Sequence, residues 1–221
     1  RIIPERGSWI EISVTRKDVL IIKIDQSSKI PATVFLRAID EKYSTTESII
    51  RLFYPTKTVP VSKLSPAMWT VGDVVDTESG EIIAKAGTQI GDRVSLIQQS
   101  TLKKLEIIEK VRDSLILNTL ADDDCQNQQD ALLKFYMRLR PGNPPNEEKA
   151  KTFFTEKFSD ENRYRLGNVG RFRLNRKFEQ DVDESFMTLR PEDYLNSMKY
   201  ILKLRNNEGF VDDIDHLGNR R

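Results

Sequence analysis

The chain has 221 residues, of which 38% are hydrophobic and 31% are charged. Its 35 basic residues are balanced by 34 acidic ones, which argues against a free-standing, strongly basic nucleic-acid binder. The single cysteine, Cys125, excludes an intramolecular disulfide and a cysteine-only zinc site, and the single histidine, His216, argues against a histidine-based centre. The apolar runs are too short to span a membrane, and the strand-like opening after Arg1 has no signal-peptide pattern. Because the sequence opens on Arg1 instead of Met and stops at Arg221 after a polar stretch with no capping device, we expect a piece of a longer cytoplasmic protein.

The first quarter of the chain predicts a β-hairpin followed by two short helices. Apolar and polar residues alternate in the first half of 8–25, and a β-branched run forms the second half. Helical spacing of apolar residues then covers 31–54 in two pieces, the first of which opens near Pro31. Ser44 to Glu47 shows the capping-box pattern, in which the serine hydroxyl accepts an N–H group at the helix start.

Residues 59–112 differ in pattern from the helical segment before them and predict a small inserted β-rich subdomain. Two β-branched runs flank the four-residue turn at 77–80, which is typical of a hairpin. A short helix at 92–99 and a strand at 104–109 are expected to follow.

The remainder of the chain predicts mainly helices. Two lie within 126–158 on either side of a proline-rich segment, and Asn146 caps the second. Another helix spans about 191–206, with Pro191 in its first turn. The predicted fold class is therefore α+β, with mixed β-hairpins, several packed helices and the inserted β-rich subdomain.

Two acidic clusters could hold a divalent cation, but each has a simpler interpretation. Asp122, Asp123 and Asp124 precede a helix, where acids are favourable, and they lack the glycine and distal glutamate of a calcium loop. Asp213 and Asp215 form a bare D-x-D pair, and most such pairs are structural or solvated. We therefore predict no metal or cofactor site in this chain.

Residues 163–177 are the strongest candidate for a ligand-binding segment. They carry six positive charges and no acid, with two aromatic residues and two glycines interleaved. Arginine side chains and backbone N–H groups suit phosphate, so Arg171, Arg173 and Arg176 are candidate phosphate contacts. The alternative is a solvated face, or salt bridges to the acidic stretch 179–184. The chain contains no Ser-His-Asp set, P-loop or G-x-G-x-x-G fingerprint, so its residues predict no self-contained active site.

Both ends of the sequence resemble segments of the bacterial RNA polymerase β subunit. The opening RIIPERGSW is similar to its R-I-I-P-x-R-G-S-W segment, and the final VDDIDHLGNRR looks like its V-D-D-I-D-H-L-G-N-R-R segment. Three further segments, at 29–38, 136–145 and 169–176, fall in the family's order. The resemblance covers about 1–54 and 113–221 and is loose over 55–112.

This resemblance implies the lobe, or second β domain, which forms part of one pincer of the polymerase beside the downstream DNA channel. It implies that 1–58 is the first part of the lobe, 59–112 the inserted subdomain and 113–210 the second, helical part. Residues 211–221 would then return toward the neighbouring protrusion domain.

The resemblance also implies where the lobe lies and which partners it has. The lobe would be a non-catalytic module of a nucleotidyltransferase, because the Mg²⁺-binding aspartates of the family belong to the β′ subunit. The implied partners are the rest of β, β′, α and ω, σ factor, downstream DNA and the non-template strand, in the nucleoid-associated cytoplasm and away from membranes.

The family further implies a pocket for a flipped-out guanine of the non-template strand, to which Arg1, Asp215 and Arg220 would contribute. A carboxylate can accept from the Watson–Crick edge of guanine, and arginines can contact phosphate or stack on a base. This hypothesis requires the two ends of the chain to lie close together. Some family members carry an arginine cluster where this chain has Gln-Ser-Ser-Lys at 26–29, which weakens the expected DNA contact there.

Two other functions stay open at this point. A protein-interaction module could dock σ factor or a transcription regulator without reading DNA directly. A stand-alone phosphate-binding protein could use residues 163–177. Trp9 and Trp69 are expected in the core or in a subunit interface rather than as platforms for stacked bases.

Overall fold

The computed structural model of the chain describes residues 1–26 and 29–219. Within these residues the fold has eight α-helices and three small antiparallel sheets, which confirms the predicted α+β class. None of the helices in this part of the chain combines the length and the apolar character that a membrane crossing needs.

The first sheet consists of the predicted hairpin and one added strand. Strand β1 (Ile10–Val14) pairs antiparallel with β2 (Leu20–Ile24), and β2 pairs in turn with β3 (Ile30–Pro31). The register places Ile10 opposite Ile24, and both side chains are buried. The alternation in the sequence thus directs one side of the hairpin to the core.

The two helices that follow agree with the prediction except at one cap. These helices are α1 (Ala32–Ile39) and α2 (Thr46–Phe53). The residue that caps α2 is Thr45, whose hydroxyl accepts from the backbone N–H of Ser48 at 3.2 Å. The predicted cap at Ser44 is wrong by one residue, because Ser44 has a helical backbone and Thr45 has the extended backbone of an N-cap.

Residues 57–108 form two small sheets and a short helix around a separate apolar core. The elements are β4 (Lys57–Pro60), β5 (Trp69–Thr70), β6 (Val74–Val75), β7 (Ile82–Ala84), α3 (Val94–Gln99) and β8 (Lys104–Ile108). Strand β8 lies between β4 and β5, and β6 pairs with β7 as the predicted hairpin. Ile107 packs in this core, whereas Ile108 packs among the helices, because neighbouring side chains of a strand point to opposite faces. The boundaries at 59 and 112 stay a prediction.

The second half of the chain is helical. Its elements are α4 (Leu115–Asp122), α5 (Gln128–Leu139), α6 (Glu147–Phe158), α7 (Asn168–Phe178) and α8 (Pro191–Arg205). The prediction of α5, α6 and α8 is confirmed, and the side chain of Asn146 caps α6 by accepting from the N–H of Lys149 at 3.0 Å. The helices α4 and α7 were not predicted.

Phe35 of α1 lies at the centre of the largest core. Its ring contacts four aromatic rings from α5, α6 and α8, at centroid distances between 4.7 and 5.6 Å, namely those of Phe135, Phe154, Phe158 and Tyr194. The next residue, Leu36, faces a second core with α2, α4 and the other side of α8. Helix α1 therefore joins the two helical cores and holds α8 in a constant position relative to the first sheet.

Candidate nucleic-acid interface

The N-terminal segment, by which we mean residues 1–9, is attached to the fold along its length. Ile2 and Ile10 exchange two backbone hydrogen bonds, of 2.7 and 3.0 Å, and Arg6 exchanges two more with Arg165. At the start of the segment, the exposed Arg1 guanidinium pairs with Glu11 at 3.1 Å. A nucleic acid that uses Arg1 must therefore compete with this carboxylate.

Helix α7 holds the C-terminal segment, by which we mean residues 210–219. Lys177 pairs with Asp212 at 2.5 Å. One turn earlier on the helix, a guanidinium nitrogen of Arg173 lies 2.6 Å from Nδ1 of His216. These contacts place the segment directly alongside α7.

Helix α8 fixes the beginning of the same segment. The Tyr200 hydroxyl donates to the carbonyl of Phe210 at 2.9 Å and accepts from the N–H of Phe210 at 3.0 Å. Gly209 permits this close approach, because a Cβ there would lie 2.8 Å from the Tyr200 hydroxyl and the backbone φ is +83°. The C-terminal segment is thus held at both of the helices it passes.

The two segments and α7 together enclose a cleft of about 310 Å³. Its lining combines apolar and charged side chains, among them Ile3, Leu174, Phe210, Arg173, Arg176 and Asp212. Arg1 lines the cleft together with Gly218 and Asn219. The two ends of the described chain therefore meet, which is the geometry that the guanine-pocket hypothesis requires.

The three predicted pocket residues differ in what the structure says of them. Arg1 lines the cleft. Asp215 does not line it and lies on the exposed turn that leads to Gly218. The backbone N–H of Asp215 donates to Asp213 at 2.9 Å, which shapes this turn. Arg220 lies outside the described residues, as do positions 27 and 28 of the loop where DNA contact was expected to be weak.

Arg171 has a structural role instead of the phosphate contact that the sequence suggested. Its fully buried guanidinium donates to Asp193 at 3.0 Å and to the carbonyls of Phe186 and Thr188 at 3.0 and 2.5 Å. Asp193 is also fully buried, and it accepts from the N–H of Arg190 at the start of α8. Because the guanidinium has no exposed surface, a phosphate outside cannot reach it. It ties α7 to α8 and to the loop between them.

Arg173 and Arg176 remain candidates for phosphate contact. Arg173 is half-buried against the C-terminal segment, whereas Arg176 is exposed and forms no ion pair within residues 1–26 and 29–219. Helix α7 itself contains no acidic residue. The positive charge on this side of the cleft is therefore only partly neutralised, chiefly by Asp212 at Lys177.

The basic stretch 163–177 finds its acidic partners elsewhere than predicted. Arg165 pairs with Glu5 and Lys177 with Asp212, in addition to the buried pair described above. In the described part of the chain, none of these basic residues pairs with an acid of 179–184, so that predicted alternative is wrong. The packing brings other acids to α7 instead.

The sequence pointed to the aromatic residues of 163–177 but did not predict which aromatic side chains of this interface are exposed. Phe172 of α7 is 48% exposed, and Trp9 of the N-terminal segment is 47% exposed. The exposure of Trp9 excludes the predicted core position and leaves the predicted interface position open. In α7 the arginine at position 171 faces inward and the phenylalanine at position 172 faces outward. The order of these two residues is the sequence feature that reflects the exposure of Phe172.

The acidic cluster near residue 123 is occupied by contacts within the protein. Asp123 is buried and accepts from Nε of Arg37 at 2.9 Å, and Asp124 pairs with Lys134. Burial raises the pKa of the neighbouring Cys125 thiol to about 12. This cysteine is therefore protonated at neutral pH and a weak nucleophile.

Comparison with known proteins gives the family. A family model described as "RNA polymerase Rpb2, domain 2" matches residues 99–221, which is more than half of the chain. The chain belongs to this family. The resemblance noted at the two ends of the sequence is thereby confirmed.

Similar curated proteins carry the name "DNA-directed RNA polymerase subunit beta". The one from Rhodopirellula baltica is 49% identical over 233 residues, and the one from Leptospira biflexa is 33% identical over 239 residues. The one from Sorangium cellulosum is 31% identical over 288 residues. Each alignment covers 100% of this chain but 19%, 19% and 21% of the respective relative. The chain thus spans about a fifth of the length of these relatives.

Proposed function

We propose that this chain is a non-catalytic lobe of the β subunit in a multisubunit DNA-directed RNA polymerase, where it lines the downstream DNA channel. The proposal is supported by the name shared by relatives along the entire chain and by the family match over α4 to α8. Nucleotidyl transfer would be carried out by Mg²⁺-binding residues of β′. The other partners would be the rest of β, α, ω and σ factor, in the nucleoid-associated cytoplasm.

Within this function, we propose that Arg1, Asp215 and Arg220 contribute to a pocket for an unpaired guanine of the non-template strand. The observation that carries this proposal is the cleft lined by both Arg1 and Asn219. Arg220 directly follows Asn219 in the sequence and enters this proposal from the sequence alone. Arg1 lines the cleft, and because its guanidinium pairs with Glu11, a nucleotide must displace that carboxylate to use it.

The chemistry assigns the reading of the base to Asp215. Its carboxylate can accept from the N–H groups on the Watson–Crick edge of guanine, a pattern that adenine and the pyrimidines do not present in the same way. Extruding a base from the stack costs a few kcal/mol, and hydrogen bonds to its edge together with arginine–phosphate contacts can offset that cost.

The test compares binding of the assembled polymerase to bubble templates with guanine or thymine at the downstream non-template position. With Asp215→Ala or Asp215→Asn, we expect the preference for guanine to fall about tenfold, the order of discrimination of a good bidentate contact. Glu208→Ala is the control, because it removes an exposed carboxylate that pairs with Arg112 outside the cleft. An unchanged preference in both Asp215 variants would contradict the guanine pocket.

A second candidate function is favoured by the apolar surface of the C-terminal segment. Four large apolar side chains there are 68% to 83% exposed, namely those of Phe210, Val211, Ile214 and Leu217. Contiguous exposed apolar residues are typical of protein interfaces, so this segment could dock σ factor or a regulator. In that case Leu217→Ser would weaken assembly of the complex, while Asp215→Ala would leave the preference for guanine unchanged.

A further inference from the structure

Helix α7 departs from the pattern of an ordinary surface helix at three positions. It buries Arg171 completely, while Val169 and Phe172 are 56% and 48% exposed. A surface helix normally packs its apolar stripe on the core and exposes its charges. Packing within the described part of this chain therefore does not account for a phenylalanine at position 172, whose ring is left half-exposed.

The exposed ring has an exposed arginine as its neighbour on the helix. Phe172 and Arg176 are four residues apart, which places their Cβ atoms about 5–6 Å from each other on one face of α7. Arg176 is exposed and has no ion-pair partner in the described part of the chain. A ring beside an unpaired guanidinium is complementary to a ligand that joins a flat aromatic group to an anion. A nucleotide has this chemistry.

Around the helix, Arg176 falls between Phe172 and Arg173, so this face adjoins the side of α7 that holds the segment with Asp215. Arg173 contacts His216, which follows Asp215 in the chain. The approach is close, because a Cβ at Gly218 would lie 2.8 Å from Nε of Arg173. A single strand with one base held at Asp215 would therefore have α7 as its next surface.

We propose that Phe172 and Arg176 form a second, sequence-independent contact for single-stranded DNA. An unpaired base stacks on the ring of Phe172, and its phosphate is bound by the guanidinium of Arg176. Every base has a flat face, so the contact accepts all four, unlike the pocket at Asp215. This inference rests on the proposed function, because it takes the non-template strand as the ligand and adds a nucleotide position next to the guanine.

The experiment places the fluorescent base 2-aminopurine at successive positions of the non-template strand in a bubble template bound to the assembled polymerase. One position near the guanine is expected to be quenched by stacking. Phe172→Ala and Phe172→Leu should both restore the fluorescence at that position and weaken binding of the bubble about 5- to 150-fold, whereas Phe172→Trp should retain the quenching. Leu96→Ala is the control, because Leu96 is also an exposed apolar residue, 57% accessible, but lies on α3.

The phosphate contact has its own readout. Arg176→Gln should reduce the slope of log affinity against log salt concentration by about 0.7, the value for one phosphate of a single strand. Phe172→Leu should leave this slope unchanged. Equal slopes for Arg176→Gln and the unmodified polymerase would overturn the role of Arg176.

The outcomes separate this inference from the guanine pocket. If Phe172→Leu keeps the 2-aminopurine quenching and the affinity of the unmodified polymerase, the stacking contact is wrong, whatever happens to guanine preference. If instead the preference for guanine is insensitive to Asp215→Ala while Phe172→Leu abolishes the quenching, the guanine pocket fails and the stacking contact stands. If Phe172→Leu impairs only the assembly of the complex, the face binds protein and the inference is overturned.

Discussion

Removing the guanidinium of Arg171 should destabilise the chain by about 3–5 kcal/mol. Arg171 and Asp193 are both fully buried and lie 3.0 Å apart, so Arg171→Ala leaves a carboxylate buried without its partner. Two backbone carbonyls, those of Phe186 and Thr188, also lose their donor. Buried acceptors without donors cost about 1–3 kcal/mol each where water cannot replace the donor, which favours the upper end of the range.

The measurement is the free energy of unfolding from urea titration, followed by circular dichroism, for the chain and its variants. The matched control is Arg163→Ala, because Arg163 pairs with Glu156 on the surface with 60% of its side chain exposed, and such pairs contribute about 0–1 kcal/mol. The double variant Arg171→Leu with Asp193→Leu should recover the part of the loss that comes from the unpaired buried carboxylate, but not the part that comes from the two carbonyls. A loss below about 1 kcal/mol for Arg171→Ala would refute the reasoning.

Three further predictions concern a helix cap, an ion pair and the cysteine. Thr45→Ala should cost about 1 kcal/mol of stability in urea unfolding, because it removes the cap of α2, whereas Ser44→Ala should cost little. The Arg51 guanidinium holds the pKa of the Glu106 carboxyl below its ordinary value in the folded chain. The stability that this pair contributes is therefore complete at any pH above the pKa of Glu106 in the unfolded chain, and it is lost as the pH falls through the lower pKa of the folded chain. Glu106→Gln should therefore reduce the stability difference between neutral and acidic pH. Iodoacetamide should modify Cys125 in the folded chain far more slowly than a free thiol at pH 8, because burial raises its pKa to about 12.

Each of these predictions has an outcome that contradicts it. Equal losses of stability for Thr45→Ala and Ser44→Ala would contradict the assignment of Thr45 as the N-cap of α2. An acid unfolding curve that is unchanged by Glu106→Gln would mean that Arg51 does not lower the pKa of that carboxyl in solution. Modification of Cys125 at the rate of an unfolded control would show that the thiol is accessible.

The elements that could be predicted from the sequence are those whose residue pattern has clear contrast. In the hairpin, β1 has strict alternation and β2 is a nearly continuous apolar run. Helix α6 has a capping asparagine in front of a regular apolar face. Helix α4 was missed because it is buried on several sides and its apolar residues leave no polar stripe for periodicity to detect. Helix α7 was missed because its arginines, glycine and outward phenylalanine contradict the usual pattern.

Family and fold class can be predicted from the sequence, because both depend on local patterns and on polar segments long enough to be specific. Whether a charged side chain is free to bind a ligand cannot be predicted in this way, since it depends on what packs against that side chain. Arg171 and Arg176 belong to one helix and have identical chemistry, yet the acid of α8 that meets the first comes from 22 residues further along the chain. The approach of Arg1 to Asn219 likewise exists only once α7 and α8 hold the C-terminal segment in place. Burial and long-range contact are properties of the packed chain, and they decide which of the basic residues can bind a ligand.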